Sequence, residues 1–145
     1  CSWVYSVRLG RVAMMKMVLL LLLALSAGFA QAEGLSYKVD PWRTEDTQRE
    51  VAYAIVHLMD WGQTRNIAKH PERWYEKNPK LGRHPSVAQV DRHFLFGFPL
   101  GAISHPIISY LLPAKYRPVW QYITIGYEWS YVERNFSLGI TIDLP

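Results

Sequence analysis

The chain has 145 residues, half of them hydrophobic, with 16 Lys and Arg against 12 Asp and Glu. Setting aside Arg8, Arg11 and Lys16, which precede residue 33, 13 basic residues face all 12 acidic ones, and so near a balance gives no reason to expect nucleic acid as a partner. The single cysteine is Cys1, so residues 33–145 hold no disulfide and no thiol nucleophile.

Met14 to Glu33 carries the parts of a secretory signal. Lys16 supplies the basic start, Val18 to Leu25 an unbroken apolar run, and Ala30-Gln31-Ala32 a small-x-small cleavage site. The run is short for a membrane span, which needs about 20 residues. The expectation is cleavage after Ala32, leaving 113 residues that begin at Glu33; a retained segment would be an N-terminal anchor. Residues 1–13 read as an upstream extension or as a longer basic n-region. The domain organisation is therefore a leader and signal over 1–32 and one small helical domain over 33–145.

Residues 33–43 are polar and end in Asp40-Pro41-Trp42. A helix is predicted from near Thr44, with Thr47-x-x-Glu50 as a capping box and Glu45, Asp46 and Glu50 suited to its N-terminus. Val51, Ile55, Leu58 and Gly62 recur at helical spacing, and Pro71 limits the helix to Lys69 or His70. Pro71, Pro79, Gly82 and Pro85 punctuate a structured loop with one helical turn expected at 72–76, and Ser86 is placed to cap a short helix over 87–94. Phe94 to Leu112 carries no formal charge. A turn at 113–118 then leads to a last helix from Val119 to about Asn135, and the ending alternates weakly, as an extended segment would.

Transfer energies over 94–112 nearly cancel. Ten Phe, Leu or Ile residues favour hydrocarbon, while His105, two prolines and two serines oppose it. Asp60 and Glu128 would each cost about 2.5–3.5 kcal/mol at a bilayer centre. Loop charge decides for the membrane: Lys69, Arg73, Lys77, Lys80, Arg83 and Arg92 precede 94–112, against Lys115 and Arg117 after it. With apolar segments at 18–32, 51–68, 94–112 and 119–134, the richer loop falls inside. The predicted fold class is mainly α: a small bundle of three helices after the N-terminal signal or anchor, embedded in the membrane.

Gly97-x-x-x-Gly101 lies in the most apolar segment, with Ser104 and His105 continuing the same helical face. Small residues four apart let another helix approach closely, which would turn His105 inward, beside a bend at Pro106. The last helix carries a polar stripe of Gln121, Thr124, Glu128 and Asn135. In an antiparallel hairpin, His105 and Glu128 lie about 10 Å and 14 Å from the turn, which predicts a buried pair. The first helix presents His57, Asp60 and Thr64 on one face, a spacing that suits a shared proton or metal but equally plain helix packing. No HExxH, GxSxG, P-loop or CxxC motif is present, so no catalytic residue, metal ligand set or cofactor is assigned.

The loop holds Glu76 and Asn78, placed to turn inward onto backbone amides or a helix end. The arrangement Asp60-Trp61-x-Gln63-Thr64 … Glu76-x-Asn78-Pro79-x-Leu81-Gly82-x-x-Pro85 resembles a group of uncharacterised small bacterial and phage membrane proteins. The resemblance covers roughly 50–112, and the final Val132-x-Arg134-Asn135-x-x-Leu138-Gly139 less closely; the aromatic last helix departs from it. It implies a helical membrane fold and no activity. The candidate polar cluster is thus His57, Asp60, Thr64, Glu76, Asn78, His105, Glu128 and Asn135, with Gly97 and Gly101 for helix packing. The expected role is an exported accessory or interaction component of the inner membrane, with lipid and another membrane protein or a second copy as partners. A soluble periplasmic module, and a metal- or proton-dependent intramembrane enzyme using His57, Asp60, His105 and Glu128, are the alternatives.

Overall fold

The computed structural model describes residues 39–145, which form one compact unit. The leader, the signal segment and the expected cleavage site lie outside the described residues. Among the described residues there are four helices and no strand: α1 (Thr44–Lys69), α2 (Val87–Phe96), α3 (Ser104–Leu111) and α4 (Arg117–Ser137).

α1 has the expected limits but a different cap. Asp46, in its first turn, accepts a hydrogen bond from the Arg43 amide at 3.0 Å. Thr47 accepts instead from Trp42 Nε1 at 2.9 Å, and Glu50 turns toward the interior. After α1 the chain makes a turn at 71–73 rather than a helical turn at 72–76. The loop then closes on itself. Glu76 accepts the Lys77 and Asn78 amides at 2.7 and 2.6 Å, and the Asn78 side chain accepts the Lys80 amide at 3.0 Å. Ser86 caps α2 by exchanging hydrogen bonds with Gln89, at 3.3 Å to its amide and 2.8 Å from its side chain. α2 buries Val90 and Phe94 against Trp61.

The segment 94–112 is not one helix. α2 stops at Phe96 and α3 starts only at Ser104, with a cis Phe98–Pro99 peptide between them. Gly97 and Gly101 do not form a face for a partner helix. They meet each other: the Gly101 amide donates to the Gly97 carbonyl at 2.5 Å, and a Cβ on Gly101 would sit only 2.7 Å from the Gly97 nitrogen. Ser104 Oγ closes the turn onto the Gly97 carbonyl at 3.0 Å. Pro106 falls in the first turn of α3, where a missing N–H is harmless, so it bends nothing. The bundle has four helices rather than three: the short capped helix expected over 87–94 stands as α2, and the break leaves the apolar segment as the end of α2 plus a separate α3. No helix among the described residues is long and apolar enough to cross a membrane.

α4 ends at Gly139, whose φ of 79° lets the Ile140 amide return to the Asn135 carbonyl at 3.0 Å. The tail forms no strand. It runs back along α1, with the Asp143 amide on the Gly62 carbonyl at 3.1 Å and the Asp143 carboxylate on Lys69 at 2.6 Å.

Pairing distances in sequence give the helix directions. Asp46–Arg117, Glu50–Gln121 and His57–Glu128 are each 71 residues apart, so α1 and α4 lie parallel in one register. Residues 94–111 run antiparallel to both, since Glu50 meets His105, Tyr53 meets Leu100, and His57 meets Phe94.

Candidate functional site: a buried polar seam

On α1, Asp46, Glu50, Tyr53, His57 and Asp60 recur at spacings of three and four, which puts them on one face. Arg117, Gln121, Thr124 and Glu128 do the same on α4, and Asn135 follows on that face seven residues later. The parallel register lays one stripe on the other, and the segment 94–111 closes over both. The result is a continuous polar seam where a helix pair usually has its apolar core.

At one end stands Arg117, fully buried. Its guanidinium donates to Asp46 at 2.7 Å, to the Ser109 and Leu112 carbonyls at 2.9 and 3.2 Å, and to the Asp40 and Pro41 carbonyls at 3.2 Å each. Those carbonyls are the unpaired C-terminal groups of α3 and the backbone leading into α1, so one side chain ties three pieces of chain together. It also packs over the Trp42 ring, 4.9 Å from its centroid. Burial opposes ionisation of Asp46, but Arg117, the Arg43 amide and Arg49 outweigh it and hold its carboxyl below the usual range.

Next along the seam is His105, also fully buried. Its Nε2 lies 2.8 Å from Thr124 Oγ1 and its Nδ1 3.1 Å from Glu50. The Thr124 hydroxyl proton goes to the Trp120 or Gln121 carbonyl, so Oγ1 is an acceptor toward the ring. The ring thus faces an acceptor at each nitrogen. It is held between aromatic faces, with Tyr53 at 3.5 Å and Trp120 at 5.3 Å between centroids. Burial raises the Glu50 pKa, yet hydrogen bonds with His105 and Gln121, with the Ser109 hydroxyl nearby, bring it below the ordinary carboxylate range.

One turn further, His57 Nε2 donates to the Phe94 carbonyl at 3.0 Å, leaving Nδ1 at 3.3 Å from Glu128 Oε1. Tyr53 links the two histidines: its hydroxyl donates to the Leu100 carbonyl, and its ring stacks on His57 at 5.4 Å. Burial, then the charges of Glu128, Glu50 and Asp60, push the Tyr53 phenol upward, so it remains a donor. Asp60 closes this end. Burial and the adjacent Glu128 carboxyl raise its pKa well above the usual value, and Asn135 approaches it at 3.5 Å.

Of the sequence candidates, the seam brings together His57, Asp60, Glu128 and Asn135, with His105 joined to them through Tyr53. His105 does not pair with Glu128. It sits opposite Thr124, one turn away, because α4 starts at Arg117 rather than Val119 and the equal depth from the turn shifts accordingly. Thr64 is buried at the foot of the α1 face. Glu76 lies in the loop, folding it, and Asn78 reaches His93 at 3.1 Å. Sequence reasoning missed Asp46, Glu50, Tyr53 and Arg117. The signal was available: the α1 stripe begun at His57 continues backward at the same spacing for about three turns more, through Tyr53 and Glu50 to Asp46.

No group of three or more His, Cys, Asp or Glu side chains among the described residues is arranged to hold a metal ion. No family model matches the chain, nor does any curated protein or any solved structure.

Proposed function

We propose that the protein is an accessory or interaction component of the membrane to which it is exported, with its apolar outer surface seated in lipid. The observation that carries this is the inversion of α4. Its buried face is Arg117, Trp120, Gln121, Thr124, Glu128 and Val132, polar at four of six positions, while its exposed face carries Val119, Tyr122, Trp129 and Phe136 beside Gly126, Ser130, Glu133 and Ser137. α3 repeats the pattern with His105 and Ser109 inside and Ile107, Tyr110 and Leu111 outside. α1 adds Val51, Ile55 and Leu58, each more than 40% exposed.

In water this arrangement has the wrong sign. Exposed apolar area costs about 25 cal/mol per Å², and buried charge is stable only when fully paired. In lipid the outward apolar side chains are at no disadvantage, and the inner ions Asp46, Glu50 and Arg117 are paired, although Ser109 Oγ, Trp120 Nε1 and Glu128 Oε2 have no hydrogen-bond partner among the described residues. The polar stripe also lowers the mean hydropathy of α1 and α4, which is why neither counts as a spanning helix. The protein is therefore read as seated in the membrane rather than as crossing it. The resemblance of its Asp60–Pro85 motif to small bacterial and phage membrane proteins points the same way. The seam acts in this reading as the structural element that fixes helix register.

Flotation of the full-length protein with phosphatidylcholine vesicles tests the proposal. The wild-type chain is expected to float, and Trp129→Ser combined with Phe136→Ser to stay at the bottom while keeping its helical circular dichroism. Wild-type protein that remains monodisperse and unbound would show that the apolar faces have another purpose, and the periplasmic module would replace this reading.

A further inference from the structure

The loop at 77–83 and α2 enclose a cleft of about 310 Å³ whose walls include Lys80, Gln89, Arg92, His93 and Phe96. No acidic residue lines it. The other cations of the end of α1 and of the loop are each engaged. Arg65 pairs with Asp91 at 2.6 Å, Lys69 with Asp143 at 2.6 Å, Arg83 and Lys77 lie over the Tyr75 ring, and Arg73 over Trp74. The two cations of the cleft differ. Lys80 gives one donor to the Phe98 carbonyl at 3.2 Å and retains two. Arg92 is exposed, with no hydrogen bond or ion pair among the described residues. Burial, then Lys80, lowers the His93 pKa, so the positive charge of the cleft at neutral pH belongs to Lys80 and Arg92.

The rim is of opposite character. Phe96 is 62% exposed and Phe98 63% exposed, and the Phe98 carbonyl is the one Lys80 holds. Two unneutralised cations beside two projecting aromatic rings match an amphipathic anion. The cations suit a phosphate diester, and the rings suit the acyl chains that begin next to it.

We propose that this cleft binds the phosphate of an anionic lipid headgroup, with Lys80 and Arg92 as its contacts and Phe96 and Phe98 entering the bilayer beside it. The proposal rests on the membrane reading and adds to it a specific lipid class and a fixed orientation. The water-facing loop and α2 lie at the headgroups, and the polar-cored bundle lies below them.

The test uses full-length protein with vesicles of phosphatidylcholine alone and of phosphatidylcholine mixed with phosphatidylglycerol, at physiological salt. Tighter binding to the mixed vesicles is expected. Lys80→Gln and Arg92→Gln should each reduce that preference about fivefold. Lys115→Gln, equal in charge change but in the turn before α4, should leave most of it. An equal loss in the Lys115 variant would mean diffuse attraction and overturn the cleft. Equal binding to both vesicle types would overturn the headgroup while leaving the membrane seat intact; no binding to either would sink the membrane reading itself. A parallel titration with glycerol 3-phosphate, followed by NMR at Gln89 and Arg92, separates the sources. A saturable response there without any vesicle preference would assign the cleft to a soluble phosphate and end the lipid proposal.

Discussion

The two ends of α1 are packed by opposite rules. Toward its C-terminus, Trp61 packs with Val90 and Phe94 of α2, and the charges stand at the rim, where Asp91 takes Trp61 Nε1 at 2.8 Å and Arg65 at 2.6 Å, while Gln63 and Thr64 are buried on the other side. That is ordinary packing for a face turned to water. Over its first four turns the same helix buries Asp46, His57 and the inward side of Glu50 against Arg117, Glu128 and Gln121, and turns Val51, Ile55 and Leu58 outward. One helix thus meets two surroundings. Directional bonds hold the inverted end and specify its register, whereas area burial holds the conventional end and tolerates repacking.

The largest effects separate the two rules. Phe94→Ala should cost about 3–5 kcal/mol through a lost side chain and the cavity it leaves. Arg117→Ala should cost a similar amount, about 3–5 kcal/mol, by removing the buried partner of Asp46, which keeps only Arg49 and the Arg43 amide, and by freeing three pieces of backbone. The pair then diverges under compensation. Replacing Asp46 and Arg117 together by Leu and Met should cost much less than either single change, because no buried charge is left unpaired. Chemical denaturation measures all three, and a double replacement as damaging as Arg117→Ala would show that the backbone contacts, not the charge pair, dominate.

A double-mutant cycle on His57→Leu and Glu128→Leu sharpens the same contrast. A coupling of about 0.5–3 kcal/mol is expected for a pair in contact, while additive losses would mean that each is held by its other neighbours.

The pH response should differ along the seam itself. Asp46 and Glu50 are held low in the folded chain, so their contribution is complete above about pH 4–5 and is lost as pH falls through their folded values. Asp60 has the opposite sign. Its folded pKa is raised, so the cost of ionising it grows as pH climbs from the ordinary carboxylate value toward the folded one. Asp60→Asn should therefore stabilise the protein at neutral pH and change little at about pH 3. A stability change of the same size at both would remove the buried carboxyl pair from the account.

The smallest effect belongs to the rim. Arg65→Gln should cost no more than about 1 kcal/mol, since a partly exposed ion pair is worth little. A loss several times larger would place that rim inside the folding core.

Local chemistry made much of the fold legible. Pro71 bounded α1, Ser86 with Gln89 announced α2, and the spacing of Gln121, Thr124, Glu128 and Asn135 showed that α4 has a polar face. Half of the seam could be read the same way, from His57 and Asp60. These features depend on residues within a turn or two of each other, so the sequence determines them by itself. Tertiary structure decided the rest. An uncharged run such as 94–112 looks alike whether it is one helix or two; the break became necessary only when Gly97 met Gly101 and when His57 and Tyr53 were there to receive the Phe94 and Leu100 carbonyls. The partner of His105 depended on where α4 begins: seven residues from the start at Arg117 is Thr124, one turn before Glu128. Arg117 looked like a turn charge until α3, α4 and the start of α1 converged on it. A helix fixes which side chains share a face through its own 3.6-residue turn, but which faces meet, and at what height, is set by contacts some 70 residues apart that no local pattern encodes.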